Sequence, residues 1–110
     1  MASATVGGEI LIERSYIGAH WQVPADVILI WKSWDEGHEV VFNAASGQIH
    51  LLDPLSATAL REVAAAAATV SEITDRLAQR YELDRATVAE RVATACAEFD
   101  RLGLAERALS

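Results

Sequence analysis

The chain has 110 residues, 52% of them hydrophobic, and nine Lys and Arg against sixteen Asp and Glu leave a net charge of −7. That describes one domain with a single core, too apolar to be disordered and, with one cysteine, without an internal disulfide. Residues 1–68 hold only Arg14, Lys32 and Arg61 as basic groups against eight acidic ones, and residues 69–110 hold six against eight, so neither part offers the basic face that DNA phosphates require.

Membranes are excluded on similar grounds. The longest apolar stretch, residues 27–31, falls far short of the roughly 20 residues that cross a bilayer. The first twenty residues carry Glu9, Glu13 and Arg14 and lack a basic start, which argues against a secretory signal. A single thiol, Cys96, suits a reducing compartment, and the cytoplasm is expected.

Residues 1–20 form an extension, and residues 21–110 form the domain. Within the extension, 9–17 has strand character, with Ile10 and Ile12 on one face. It reads as an extra strand, a loosely packed extension, a vector-derived remnant, or a segment lying in the chain's own peptide slot. In the last case it lies there within one chain or between two, and exchange between two chains makes a homodimer.

Residues 27–31 (VILIW) are the first strand, apolar on both faces and expected to be covered on both. Asp35, Glu36 and Gly37 turn the chain, glycine tolerating positive φ. Glu39–Asn43 is the second strand, with Val40 and Phe42 on one face and Val41 on the other. Residues 44–47 turn again, and Gln48–Leu52 is the third strand of an antiparallel meander. In that strand Ile49 and Leu51 are expected to face the core, leaving His50 and Leu52 on the outer, groove side.

Asp53 and Pro54 mark a helix start, Asp accepting orphan N–H bonds and Pro suiting the first helical position. Leu55, Ala59, Leu60 and Val63 make its apolar stripe, and the alanines 64–68 read as helix former and close-packing surface. Thr69 and Glu72 are spaced as a capping box for a second helix carrying Val70, Ile73, Leu77 and Tyr81. Asp84 caps a third, with Val88, Val92, Ala95, Phe99 and Leu102 on one face and Gly103 as its stop. Strand, turn, strand and then three helices is a winged helix-turn-helix in the α+β class, with its three-stranded antiparallel sheet at the front. Such a layout leaves a sheet edge beside a helix, a slot for an extended peptide.

No catalytic constellation accompanies this frame. His20, His38 and His50 fall on different elements and no Cys-x-x-Cys exists, so no metal site is supported. Ser46 lacks the flanking glycines of a nucleophile elbow, and no glycine precedes a Lys-Ser/Thr pair. Cys96 reads as a small buried hydrophobe. Of Trp21, Trp31 and Trp34, Trp31 and one other are expected in the core. No enzymatic reaction and no cofactor is assigned.

The stretch WQVPADVILIWKSWDEGHEVVFNAASGQIHLLDPLSATAL, with the pattern Phe-Asn-x-x-Ser-Gly-x-x-His-Leu-Leu at its centre, resembles the PqqD-type peptide chaperones, in the branch associated with HPr-kinase-related proteins. TVSEITDRLAQRYELDRATVAERVATACAEFDRLGLAE fits the same pattern, so the likeness covers Trp21 to about Glu106. It implies a recognition element for ribosomally made, modified peptides. The leader of a precursor peptide would add as a strand antiparallel to the third strand, in the groove beside the third helix, and be presented to a modifying enzyme. Carried over residue by residue, the site is Gln48, Ile49, His50, Leu51, Leu52 and Asp53 on the strand, with Arg91 and Ala95 on the helix. The family often has Asn where this chain has Asp53, which removes a donor, and residues 1–20 have no counterpart in its pattern. Alternative readings are a non-catalytic protein–protein interaction domain and a DNA-binding winged helix regulator. The acidic balance disfavours the second, and neither nucleic acid nor membrane is expected as a partner.

Overall fold

The computed structural model describes residues 19–108 of the chain. Three strands form an antiparallel sheet, β2 (Leu29–Ser33), β3 (Glu39–Asn43) and β4 (Gln48–Leu52), in the spatial order β2-β3-β4. Three helices follow: α1 (Pro54–Ala65), α2 (Val70–Tyr81) and α3 (Arg85–Leu102). A second small sheet joins β1 (His20–Gln22) to β5 (Ala68–Thr69) and β6 (Glu106–Ala108), with β1 in the middle. This is the α+β winged helix-turn-helix expected, with one addition, the β1-β5-β6 sheet.

Local chemistry sets the element ends. Between β2 and β3 the chain makes a 3-10 turn at Asp35–Gly37, with Glu36 at φ 55° and Gly37 at φ 82°. Asp53 Oδ1 accepts from the Ser56 amide at 2.8 Å and Pro54 opens α1, as the pair implied. The capping box of α2 is complete: Thr69 Oγ1 accepts from the Glu72 amide and Glu72 Oε1 accepts from the Thr69 amide. Those bonds hold the Glu72 carboxyl below its ordinary range. Asp84 accepts from the Thr87 amide to start α3, and Gly103 ends it at φ 74°.

The core gathers Trp21, Val41, Leu52, Leu60, Ile73, Leu77, Val88, Val92, Phe99 and Leu104 between the inner sheet face and the helices. Trp21 is fully buried and Trp31 packs half-buried against this core, while Trp34 lies 61% exposed. The sheet is tied to α1 by a stack. Arg61 lies 4.1 Å from the Trp31 ring centroid and its guanidinium is hydrogen-bonded to both Glu39 carboxylate oxygens. That contact pulls the Glu39 carboxyl below its usual value. Tyr81 and Thr58 share a 2.7 Å hydroxyl–hydroxyl bond that links α2 to α1.

Two expectations about packing are corrected. The 27–31 strand is not covered on both faces: β2 is an edge strand, and Ile28 and Ile30 stand 60% and 53% exposed on its outer side. A fully apolar run signals burial on both faces only for a strand flanked by layers on each side, and here the helices occupy one side. The alanines 64–67 are likewise exposed, because α1 ends at Ala65 and the chain leaves the helix to reach β5; only Ala68 packs.

Candidate peptide-binding cleft

The β3–β4 hairpin decides which side chains reach the site. Its loop closes with the Gly47 amide donating to the Asn43 carbonyl at 2.8 Å, while the buried Asn43 side chain accepts from the Ala45 amide at 3.0 Å. The resulting register pairs Phe42 with Ile49, Val41 with His50, Val40 with Leu51 and Glu39 with Leu52. Side chains alternate along a strand. Val41 is buried, so its partner His50 and the equivalent Leu52 turn inward; Leu52 is only 7% exposed. Ile49 and Leu51 turn outward and are 67% and 60% exposed. This overturns the expected facing, in which Ile49 and Leu51 were core. Strand parity is set by the hairpin register, and the apolar character of Ile49 and Leu51 does not report it.

The edge of β4 away from β3 carries no paired strand among the described residues. Beside it runs α3, and between them lies a cleft of about 450 Å³ lined by Ile49, His50, Leu51, Leu52 and Asp53 on one side and by Ala95, Glu98, Phe99 and Leu102 on the other. Ser56, at the start of α1, closes one end. A second depression of about 350 Å³ continues from it along α3, reaching Leu55, Glu90, Arg91 and Thr94 and sharing Asp53, Ser56, Ala95 and Glu98. The structure therefore brings seven of the eight expected residues to one continuous groove, with Arg91 in the outer part. Gln48 lies on the same strand, at the hairpin end, and does not line it.

The groove wall divides by chemistry. Leu52, Ala95, Phe99 and Leu102 make it apolar toward the C-terminal part of α3. Asp53, Glu90 and Glu98 make it acidic toward the start of α1, with Arg91 the basic group lining that part. Glu98 is ion-paired with Arg101, whose hydrogen bonds hold its carboxyl below the ordinary range, with further electrostatic help from His50 across the cleft. His50 Nε2 is shielded from solvent and has no hydrogen-bond partner among the described residues. Phe99 and Leu102 were identified from the sequence only as stripe residues of α3, and Ser56 and Glu98 were not singled out at all. Ser56 and Glu98 carry no pattern that marks them; only the approach of α3 to β4 does.

A larger depression, about 550 Å³, sits on α2 and the start of α3 among Asp75, Arg76, Ala78, Gln79 and Arg85. Arg85 and Asp75 bridge it with an ion pair at 2.8 Å, and none of its lining residues belongs to a strand. It therefore cannot extend a sheet. Burial pushes the Cys96 thiol up to about 12, which leaves it unreactive. Among the described residues no three His, Cys, Asp or Glu side chains converge as metal ligands, and no helix is long and apolar enough to cross a membrane.

The family model for coenzyme PQQ synthesis protein D (PqqD) matches residues 39–105, more than half of the chain. The chain belongs to the PqqD family. No curated protein matches it in sequence. Among solved structures it is similar to TbiB1 in complex with the TbiA(beta) leader peptide, at 17% identity and a TM-score of 0.63, covering 81% of this chain and 99% of that one. It is also similar to a lasso peptide synthetase B1 complexed with the leader peptide, at 15% identity and a TM-score of 0.63, over 80% and 99% of the two chains. A third is the PqqD truncation of Methylobacterium extorquens PqqCD, a stand-alone recognition element for ribosomally synthesized and post-translationally modified peptides. There the identity is 22% and the TM-score 0.61, over 80% and 89%. At these identities the likeness is one of fold.

Proposed function

We propose that this PqqD-family chain is a peptide chaperone that captures the leader of a ribosomally made precursor by strand addition to β4 and presents it to a modifying enzyme. The observation that carries the reading is the unpaired edge of β4 facing α3 across an open groove. Two proteins of the same fold, TbiB1 and a lasso peptide synthetase B1, were solved holding leader peptides. An extended peptide gains main-chain hydrogen bonds from such an edge whatever its sequence, and pockets for alternate side chains then select among peptides.

In this reading Gln48, Ile49, His50, Leu51, Leu52 and Asp53 supply the edge, with the peptide antiparallel to it. Ala95 leaves room on α3 for inward side chains one turn before Phe99. Arg91 and the acidic groups Asp53 and Glu98 meet the flanking residues of the leader, and the acidic balance steers leaders that carry basic residues. The role is binding rather than catalysis, in the cytoplasm. DNA is not the ligand: residues 69–110 hold six basic groups against eight acidic ones, and three of the six, Arg76, Arg85 and Arg101, are paired with Glu62, Asp75 and Glu98, so the helices present no basic face to phosphates. The alternative in which residues 9–17 occupy the same edge, within one chain or by exchange in a homodimer, falls outside the described residues.

The test is a titration of isotope-labelled protein with a candidate precursor peptide, with and without its leader. Amide shifts should be largest at residues 48–53 and along α3, and only the leader-bearing peptide should produce them. Shifts concentrated on α1, or equal for the leaderless peptide, would refute the assignment.

A further inference from the structure

The outer face of the β2-β3-β4 sheet is apolar and carries no layer among the described residues. The register lays Ile30, Phe42 and Ile49 across it in one row, and Lys32, Val40 and Leu51 in the next. Exposure rises toward the edge: Phe42 and Val40 are partly buried, whereas Ile49 and Leu51 at β4 are 67% and 60% exposed. An antiparallel sheet with one wet face ordinarily alternates apolar and polar residues, and here the wet face of the strand that ends the sheet carries the apolar Ile49 and Leu51, while Gln48 and His50 stand with Leu52 on the inner face.

A strand added to that edge lies about 5 Å from β4 and sends alternate side chains to the two faces. Its inward side chains enter the cleft against Leu52, Ala95 and Phe99, with His50 and Glu98 beside them. Its outward side chains come directly opposite or diagonal to Ile49 and Leu51, within reach of cross-strand pairing. An outward Ser or Asp would meet two exposed aliphatic groups and cover neither. An outward Val, Ile, Phe or Tyr would cover both.

Resting on the proposed capture of a leader at β4, we infer that the captured segment carries aliphatic or aromatic residues on its outward face, opposite Ile49 and Leu51, as well as on the inward side chains that meet Leu52 and Phe99. The segment is not the alternating apolar–polar strand that a groove with one apolar wall would select. Ile49 and Leu51 are then specificity-determining residues, reading the side chains that the peptide turns away from α3.

Two synthetic peptides test this on the full chain, each with a five-residue core between identical Gly-Ser and Lys flanks. One core is Val-Ile-Phe-Val-Ile and the other Val-Ser-Phe-Ser-Ile. The first should bind more tightly, by roughly tenfold for two outward pairs. In the Ile49→Thr/Leu51→Thr variant, which places a strand-compatible β-branched residue at both positions, that advantage should collapse to within about twofold. Ile30→Thr, on the same face but two strands from the edge, should leave the advantage intact. Equal binding of the two peptides to the unaltered chain overturns the inference, and so does an advantage that survives Ile49→Thr/Leu51→Thr or is lost with Ile30→Thr. Amide shifts separate the two levels: if neither peptide perturbs residues 48–53, strand capture itself fails, and the inference falls with it.

Discussion

Leu51 and Leu52 are adjacent, chemically identical and opposite in environment, so a pair of substitutions probes the register of the whole sheet. Leu52 is 7% exposed and packs in the core; Leu51 is 60% exposed on the outer face. Leu52→Ala removes buried methyl groups and leaves a cavity, for which about 3 kcal/mol is expected. In a domain of this size each kcal/mol moves the midpoint by about 4–8 °C, so thermal unfolding should fall by roughly 12–24 °C. Leu51→Lys leaves its ammonium in water and changes an exposed site, for which less than about 0.5 kcal/mol is expected. Circular dichroism melts of the two variants beside the unaltered chain decide the matter. A one-residue slip of β4 would exchange the two faces, and the costs would exchange with them. A strongly destabilised Leu51→Lys together with a near-neutral Leu52→Ala would refute the register and the cleft built on it.

Two further outcomes follow from other parts of the molecule. With its thiol pushed up to about 12 by burial, Cys96 should be inert to a thiol-disulfide reagent at pH 8 in the native state and react promptly in denaturant, and fast native labelling would contradict the packing of α3. Arg61→Ala removes the guanidinium from Trp31 and from Glu39; with that side chain 47% exposed, about 1 kcal/mol is expected at pH 7. Arg61 holds the Glu39 carboxyl below its ordinary 4.5, so the ionic part of this contribution is present above that pH and is lost as pH falls through the lower folded value. The stability gap between Arg61→Ala and the unaltered chain, followed by urea unfolding, should narrow below about pH 4.5. A gap that widens in acid would remove the ion pair as its source.

The meander, the helix starts at Asp53, Thr69 and Asp84, the stop at Gly103 and the buried stripe of α3 were legible in the sequence because caps, turns and periodicity are local: each needs only residues within a few positions. The slot between strand and helix followed from element order, and the residues expected to line it came from a family pattern. Facing and coverage were not legible. VILIW and QIHLL are apolar enough for either side to be buried, and only the pairing of Val41 with His50, fixed by the hairpin loop, turned Leu52 inward and Leu51 out. The β1-β5-β6 sheet also lay beyond sequence reading, since its strands of three, two and three residues are too short for a period and pair across the length of the domain. Ser56 and Glu98 joined the groove for the same reason, contacts between distant segments that exist only once α3 has packed beside β4. Local chemistry therefore determined the elements of this protein, and tertiary packing determined which of their faces meet water, the core or a peptide.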